Sequence, residues 1–239
     1  MRKTYGVIAF AAVLAMSMMF SDTGFAYEEA KVENGGALKG KITYTGTVPT
    51  RKVVPTKDMD ICGGVREDPL IKVGPGNGVK EVVVYIKDVE AGKAFDRPET
   101  PAVIDNRDCR FHPHVQVARK GPVEVHNSDD TLHNTHGFYG KKTAFNVALP
   151  IKGMKVRQRL KQAGEVRVEC DSHGWMRGWM YVVENPYYDI TAEDGTFAIE
   201  GVPPGEHTVL IWQEGAGIME KTVTVKPGET VNLEVELKK

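Results

Sequence analysis

The sequence has only three cysteines, almost no net charge and a single long apolar run. Its 239 residues include 31 lysines and arginines against 32 aspartates and glutamates. This balance leaves no basic surface for nucleic acid, which proteins bind largely through phosphate charge. Three cysteines cannot all pair within one chain, so at least one is left over. Sustained helical periodicity is also missing, which argues against a mainly helical fold.

The one long apolar run lies at the start of the chain. Arg2 and Lys3 precede an apolar stretch over residues 6–20, and the small residues Gly24 and Ala26 follow. A membrane-spanning helix needs roughly 20 apolar residues, whereas a basic end, a short apolar middle and small residues at the cut are typical of a secretory signal peptide. We therefore expect residues 1–26 to be a signal peptide cut near Ala26, and the protein to be periplasmic or secreted. An uncleaved membrane anchor is the alternative.

The rest of the chain contains many short strand-like runs separated by turn residues. Examples are KITYT, EVVVYIK, VRVE, MYVVE, TFAIE, HTVLIW and VNLEVEL. Short alternating runs bounded by glycine, proline and other turn residues predict an all-β sandwich or barrel.

Two of the cysteines are predicted to form a disulfide. Cys62 and Cys109 lie 47 residues apart, and no histidine or second cysteine lies near Cys62. A bridge would close a loop worth about 4 kcal/mol in the chain-entropy model and would anchor residues 50–75. If both thiols were free, Cys109 could instead join a soft metal site with His112 and His114. Cys170 is then unpaired, and an exported free thiol is prone to oxidation unless it is protected.

Cys170 begins the segment CDSHGWM, which places a thiolate, an imidazole and a thioether on seven residues. Soft sulfur ligands combined with imidazole favour copper, and one cysteine, two histidines and a weak axial methionine form the blue-copper arrangement. The segment supplies Cys170, His173 and Met176, so a second histidine must come from elsewhere. The stretch VEVHNSDDTLHNTHGF offers three candidates: His126, His133 and His136.

The region from about Val103 to Glu184 resembles a cupredoxin, the family of plastocyanin and amicyanin. It has F-x-P at 111–113, a predicted strand hairpin over 115–125, N-x-D at 127–129, H-N at 133–134 and C-x2-H-x2-M-x-G at 170–178. The resemblance implies a Greek-key β-sandwich over residues 101–185 that binds one copper ion. The implied ligands are His133, Cys170, His173 and Met176.

The resemblance also suggests roles for neighbouring residues. Met180 is the rival axial ligand, but Gly178 completes the Met-x-Gly pattern only with Met176. Asn134 matches the residue that ties the two ligand loops together by hydrogen bonds in the family. Zinc would require four closed ligands, for which methionine is a poor choice.

Three further histidines, His112, His114 and His136, are open to two interpretations. They could form a second metal site, and a nitrite-reductase-like enzyme would need three convergent histidines around a copper with an open position. The favoured interpretation is that they are hydrogen-bonded surface or supporting groups.

The C-terminal stretch resembles a second family. The pattern DGTFAIEGVPPGEHTVL, from Asp194 to Leu210, is similar to the carboxypeptidase regulatory-like domain, a transthyretin-like or immunoglobulin-like β-sandwich. Its opening strands resemble runs that lie before residue 90. We therefore expect a discontinuous sandwich, residues 36–90 plus 186–239, with the cupredoxin inserted. The alternative is an N-terminal extension followed by a short C-terminal sandwich.

The combined prediction is an exported carrier of single electrons, not an enzyme. With four ligands no position is free for substrate, and electrons would pass through the imidazole edge of His173 beside Trp175. A c-type cytochrome is the expected kind of partner. The alternative is a copper-handling or carbohydrate-binding protein in which copper is cargo or structural and the second sandwich contacts the ligand.

Overall fold

The computed structural model describes residues 27–95 and 101–238. The predicted signal peptide, residues 1–26, lies outside the described residues. Within them nearly all regular structure is β-strand arranged in several sheets, which confirms the predicted all-β sandwich class. No helix in the described ranges has the length and apolarity needed to span a bilayer.

The N-terminal part of the described chain contains short strands, one α-helical turn and one 3-10 turn. These elements are β1 (Glu28–Glu29), β2 (Gly36–Thr43), β3 (Thr50–Val53), α1 (Met59–Cys62), β4 (Arg66–Pro69), β5 (Lys72–Val73), η1 (Pro75–Asn77), β6 (Val79–Lys80), β7 (Val83–Ile86) and β8 (Ala91–Gly92).

The middle part forms a sandwich of two sheets. Its strands are β9 (Ala102–Arg107), β10 (Arg110–His112), β11 (Val115–Arg119), β12 (Gly121–Asn127), β13 (His133–Tyr139), β14 (Lys142–Leu149), β15 (Lys155–Leu160), β16 (Gly164–Cys170) and β17 (Arg177–Val183). One sheet has the order β10-β9-β12-β15 and the other β11-β17-β16-β13-β14. Apolar side chains from both sheets share one core, which includes Val123, Val125, Val166 and Val168.

The predicted hairpin over 115–125 is wrong, because its two strands lie in different sheets. β11 pairs in parallel with β17, whereas β12 lies between β9 and β15. Gly121, at φ 136°, begins β12 in a conformation that favours glycine. Ala118 on β11 and Val123 on β12 enter the same core from opposite sides. A short turn can connect strands of two facing sheets as well as neighbouring strands of one sheet. Here the connection between β11 and β12 passes from one sheet to the other, because this arrangement buries both strands.

The C-terminal strands pair with strands from the start of the chain. They are β18 (Tyr188–Ile190), β19 (Thr196–Val202), β20 (Gly205–Gln213), β21 (Gly217–Val225) and β22 (Thr230–Glu236). One sheet has the order β18-β7-β20-β21 and the other β19-β2-β22. Leu38, Ile42, Ile199 and Ile211 meet in the core between these sheets. Strand pairing therefore joins the segments before and after the middle sandwich, while the exact domain limits stay predictions.

A third apolar cluster lies between the two sandwiches. It combines Val83 and Trp212 from the sheet containing β7 and β20 with Val115 and Tyr181 from β11 and β17. The indole N–H of Trp212 donates to Glu165 Oε2 at 2.7 Å, across this junction. The outer faces of the two sandwiches thus pack against each other through large side chains.

Candidate metal centre

Three predicted ligands meet at one end of the middle sandwich. His133 begins β13 and Cys170 ends β16, and the antiparallel pairing of Thr135 with Cys170 brings these strand ends together. The side chains of β13 alternate between the two faces, which places His133 in the core. His173 follows in the loop after Cys170, and all three residues are buried.

The three donor atoms form a compact triangle. The Nδ1 atoms of His133 and His173 lie 3.1 Å apart, and Cys170 Sγ lies 3.8 Å and 3.7 Å from them. The point equidistant from the corners of such a triangle is about 2.1 Å from each, close to the metal–nitrogen and metal–sulfur bond lengths of about 2.0–2.3 Å seen for zinc. The site therefore has the size and the donors of a trigonal N₂S metal site.

Each ligand imidazole is held by a carboxylate on its far side. His133 Nε2 lies 2.8 Å from Asp129 Oδ2, and His173 Nε2 lies 2.8 Å from Asp58 Oδ2. These hydrogen bonds keep the protons on Nε2 and leave both Nδ1 lone pairs facing each other. Burial lowers the pKa of His133, the nearby His173 lowers it further, and Asp129 opposes this. Two ring nitrogens 3.1 Å apart repel unless a shared proton or a metal ion lies between them, so the arrangement is compatible with a metal ion.

The sulfur of Cys170 is buried and accepts hydrogen bonds from the backbone. Burial raises the pKa of the Cys170 thiol, and backbone N–H groups, first that of Asn134, oppose the shift. The Asn134 N–H donates to Cys170 Sγ at 3.3 Å, and its carbonyl accepts from the Asp171 N–H at 3.0 Å. Asn134 thus ties the two ligand segments through its main chain. A bound metal ion would keep the buried sulfur deprotonated.

Strand register separates the two candidate axial methionines. Glu169 pairs with Arg177 at the end of the β16–β17 ladder, so one step further Met176 lies opposite Cys170. Met180 pairs with Val166, four residues along β16 from Cys170, a separation of about 13 Å at strand spacing. Met176 and Met180 are both buried in the same apolar cluster as Cys170, so burial does not separate them. The register therefore favours Met176.

The predicted disulfide between Cys62 and Cys109 is present, with their Cα atoms 4.9 Å apart. It borders the candidate centre, because both sulfurs and a ring nitrogen of His173 lie within 4.8 Å of one another. Asp129 accepts hydrogen bonds from the backbone N–H groups of Asp108 and Cys109 as well as holding His133. The disulfide thus anchors the 50–75 region directly against the ligands.

Asp58 is the functional residue that the sequence did not reveal. It immediately precedes α1, and its carbonyl accepts the N–H groups of Ile61 and Cys62. The hydrogen bond from His173 lowers the pKa of Asp58, which keeps the side chain ionised. His173 is 0% exposed, and the disulfide-tied segment covers its ring, while the predicted electron path through this imidazole stays a prediction. No local feature of the sequence distinguishes Asp58 from other loop aspartates.

The remaining histidines have separate surroundings. His114 pairs with Glu214 at 2.6 Å, His126 with Glu124 at 3.0 Å and His136 with Asp171 at 3.1 Å. His112 Nε2 is buried without a hydrogen-bond partner among the described residues. Over the described ranges, no group of three close cysteine, histidine or carboxylate ligands includes any of these four. The predicted hydrogen-bonding role fits three of them better than a second metal site does.

Comparison with known proteins finds local similarity to a polysaccharide lyase domain, beginning in β16 and continuing through the C-terminal strands. A family model described as polysaccharide lyase family 4, domain II, matches residues 166–233. Rhamnogalacturonate lyase A from Emericella nidulans is 28% identical over 120 residues, which are 46% of this chain and 23% of the lyase. The chain thus spans about a quarter of that relative's length. Similarity to a β-sandwich domain is found here, whereas the carboxypeptidase regulatory-like identity stays a prediction.

Solved structures with local similarity include copper proteins. A purple cupredoxin from Nitrosopumilus maritimus has 22% identity and a TM-score of 0.31, covering 34% of this chain and 99% of its own. The copper-containing nitrite reductase from Thermus scotoductus SA-01 has 22% identity and a TM-score of 0.32, covering 39% and 24%. A Cu(I) amicyanin with one methionine replaced by alanine has 20% identity and a TM-score of 0.30, covering 42% and 98%. At these scores the function has to be argued from the site itself.

Proposed function

We propose that this protein is an exported mononuclear copper protein that transfers single electrons between redox partners and is not an enzyme. The observation that carries the proposal is the triangle of His133 Nδ1, Cys170 Sγ and His173 Nδ1, with both imidazoles fixed from behind by carboxylates. Met176 would complete the ligand set. When bound, copper supplies a Cu(I)/Cu(II) couple.

The protein's own residues favour electron transfer over substrate chemistry. Asp129 and Asp58 fix the two rings, and the Asn134 main chain fixes the sulfur. All three donors are buried, so water has little access to the centre. Ligands that hardly move between oxidation states keep the cost of reorganisation small, which suits a one-electron carrier.

Copper loading with visible spectroscopy tests the proposal. The loaded protein should take up one copper per chain and show an intense thiolate-to-copper charge-transfer band. Cys170→Ala should abolish the band, whereas His136→Gln, which alters a histidine outside the triangle, should keep it. An unchanged band in Cys170→Ala would show that Cys170 is not a copper ligand, and two coppers per chain would favour the enzyme alternative.

The similarity to a polysaccharide lyase domain favours a second candidate, in which the C-terminal sandwich binds carbohydrate and copper is cargo or structural. Two measurements separate the candidates. Rapid oxidation of a reduced c-type cytochrome in stopped-flow mixing supports the electron carrier. Copper that is inert to the cytochrome, together with measurable binding of rhamnogalacturonan by the same protein, supports the carbohydrate-binding alternative.

A further inference from the structure

A cavity of about 340 Å³ lies beside the ligand loop, where three parts of the chain meet. The segment carrying β3 and β4 supplies one wall, the β10–β11 connection and the loop after His173 supply another, and Glu214 after β20 closes it. Small-molecule sites are often found at such junctions, with volumes of roughly 300–1,000 Å³.

The lining of this cavity carries more positive than negative charge. Three carboxylates, Asp68, Glu81 and Glu214, face five cationic side chains: Arg51, Arg66, Lys72, Arg110 and Arg177.

All three carboxylates are already engaged. Asp68 pairs with Arg66 at 3.2 Å and with Arg110 at 3.8 Å, and Glu81 pairs with Lys72 at 2.6 Å. Glu214 accepts hydrogen bonds from His114 and Trp179, each at 2.6 Å. Two guanidinium groups, those of Arg51 and Arg177, are left without a carboxylate on the cavity wall.

Of these two guanidinium groups, that of Arg51 has fewer negatively charged partners. No ion pair or side-chain hydrogen bond joins it to another residue of the described chain. Burial, and next the proximity of Arg177, lower the pKa of Arg51. Arg177 pairs with Glu169 at 3.1 Å, a carboxylate outside the cavity that it shares with Arg167. Arg51 therefore has no ion pair and only weaker interactions with Asp68 and Glu214, which oppose the lowering of its pKa, and the carboxylate partner of Arg177 lies outside the cavity.

The same wall carries buried polar nitrogens without partners. Trp175 Nε1, Arg177 Nε and His112 Nε2 have no hydrogen-bond partner among the described residues, and all three residues line the cavity. Leaving such a group unpaired costs about 1–3 kcal/mol, and because these nitrogens expose almost no surface to the cavity, the guanidinium groups of Arg51 and Arg177 remain the donors for a ligand. Phe111 and Trp175 add apolar ring surface to the lining.

We propose that this cavity binds a small organic carboxylate, whose oxygens lie between Arg51 and Arg177 and whose apolar body packs against the Trp175 wall. Guanidinium groups recognise carboxylates by paired, charge-assisted hydrogen bonds. This binding activity goes beyond electron transfer and does not require a bound metal.

Benzoate is a suitable probe, and isothermal titration calorimetry on the metal-free protein is the measurement. Benzoate should bind at one site, and benzamide, which has the same ring without the charge, should bind at least ten-fold more weakly. Arg51→Gln should weaken benzoate binding about ten-fold or more, since a hydrogen bond to a charged group contributes roughly 1.5–3 kcal/mol. Arg157→Gln, which alters an exposed arginine paired with Glu124, should leave the affinity unchanged.

Because Arg51 forms no ion pair or side-chain hydrogen bond among the described residues and glutamine keeps much of its length, Arg51→Gln should retain the wild-type circular dichroism spectrum. Trp175→Phe keeps an aromatic ring on the cavity wall and should retain most of the benzoate affinity. Equal binding of benzoate and benzamide, unchanged affinity in a folded Arg51→Gln, or binding of inorganic phosphate without binding of benzoate would each overturn the proposal. Since copper is absent from this assay, its outcome is independent of the proposed electron transfer.

Discussion

The two ligand imidazoles are held by carboxylates from very different places in the chain. Asp129 lies four residues before His133, whereas Asp58 lies 115 residues before His173 and belongs to the disulfide-tied segment. Both contacts are 2.8 Å, and each fixes the ring with Nδ1 toward the sulfur. Carboxylates behind histidine ligands orient the ring and make the ligand more basic. Asp58 therefore sets a property of the centre from outside the middle sandwich.

Asp58→Asn should raise the reduction potential of the copper-loaded protein. A carboxylate near the metal stabilises the more positive oxidised state, so removing its charge favours Cu(I), by an amount on the order of tens of millivolts. Spectroelectrochemical titration measures the shift. Asp60→Asn removes an exposed carboxylate from the same helical turn and should leave the potential nearly unchanged. A lower potential in Asp58→Asn would contradict this role.

The methionines give a second prediction at the residue scale. Met176→Ala should retain copper and a charge-transfer band but shift its energy and intensity, because only the weak axial ligand is lost. Met180→Ala should leave the band in place and lower the stability by about 2–5 kcal/mol, the usual cost of truncating a buried methionine to alanine. Visible spectra and urea denaturation of both variants decide the matter. The reverse pattern would make Met180 the axial ligand.

At the scale of elements, the 50–75 segment combines two functions in one loop. The short helix α1 ends at Cys62, whose disulfide to Cys109 holds the turn, and the residue before the helix, Asp58, contacts His173. Thr131 donates a further hydrogen bond to Asp58 at 3.1 Å. The segment has only short strands of its own, so the crosslink holds it in place against the ligands.

Replacing both cysteines, as Cys62→Ala with Cys109→Ala, should lower the free energy of unfolding by about 2–5 kcal/mol and also loosen the cover over His173. We expect the charge-transfer band to persist and the reduction potential to move in the same direction as in Asp58→Asn. Urea denaturation and spectroelectrochemistry measure the two effects. A potential equal to that of the wild type would mean that Asp58 keeps its position without the crosslink.

Sequence could predict those parts of the site whose residues are close together in the chain. Cys170, His173 and Met176 form a continuous motif, and the disulfide followed from having only two other cysteines. Asp58 could not be predicted, because nothing local distinguishes it from other loop aspartates and its partner is 115 residues away. The hairpin over 115–125 failed for a related reason: whether a short turn joins or crosses sheets depends on burial against distant strands.

At the scale of the whole molecule, the two sandwiches pack against each other through side chains as well as being connected by the chain. The cluster containing Val83, Val115, Tyr181 and Trp212 draws side chains from both, and the Trp179 and Trp212 rings lie 5.4 Å apart. The carboxylate-binding cavity is closed by Glu214, which comes from the C-terminal strands. Packing between the sandwiches therefore shapes one wall of the cavity and supports the β17 strand that follows the ligand loop.

Trp212→Ala should destabilise both sandwiches and not only its own. Trp212 is 2% exposed, and truncating a buried tryptophan to alanine costs about 3–5 kcal/mol. Because its ring packs on β17 as well as within the sheet containing β20, we expect both sandwiches to unfold at a common, lower urea concentration. Hydrogen exchange followed by mass spectrometry can monitor peptides from β16 and β19 separately.

Ile218→Ala, at a side chain 56% exposed, should change the free energy of unfolding by no more than about 0.5 kcal/mol. If the β19 peptide lost protection while the β16 peptide kept its wild-type midpoint, the sandwiches would be energetically independent and the cluster would serve only as a contact.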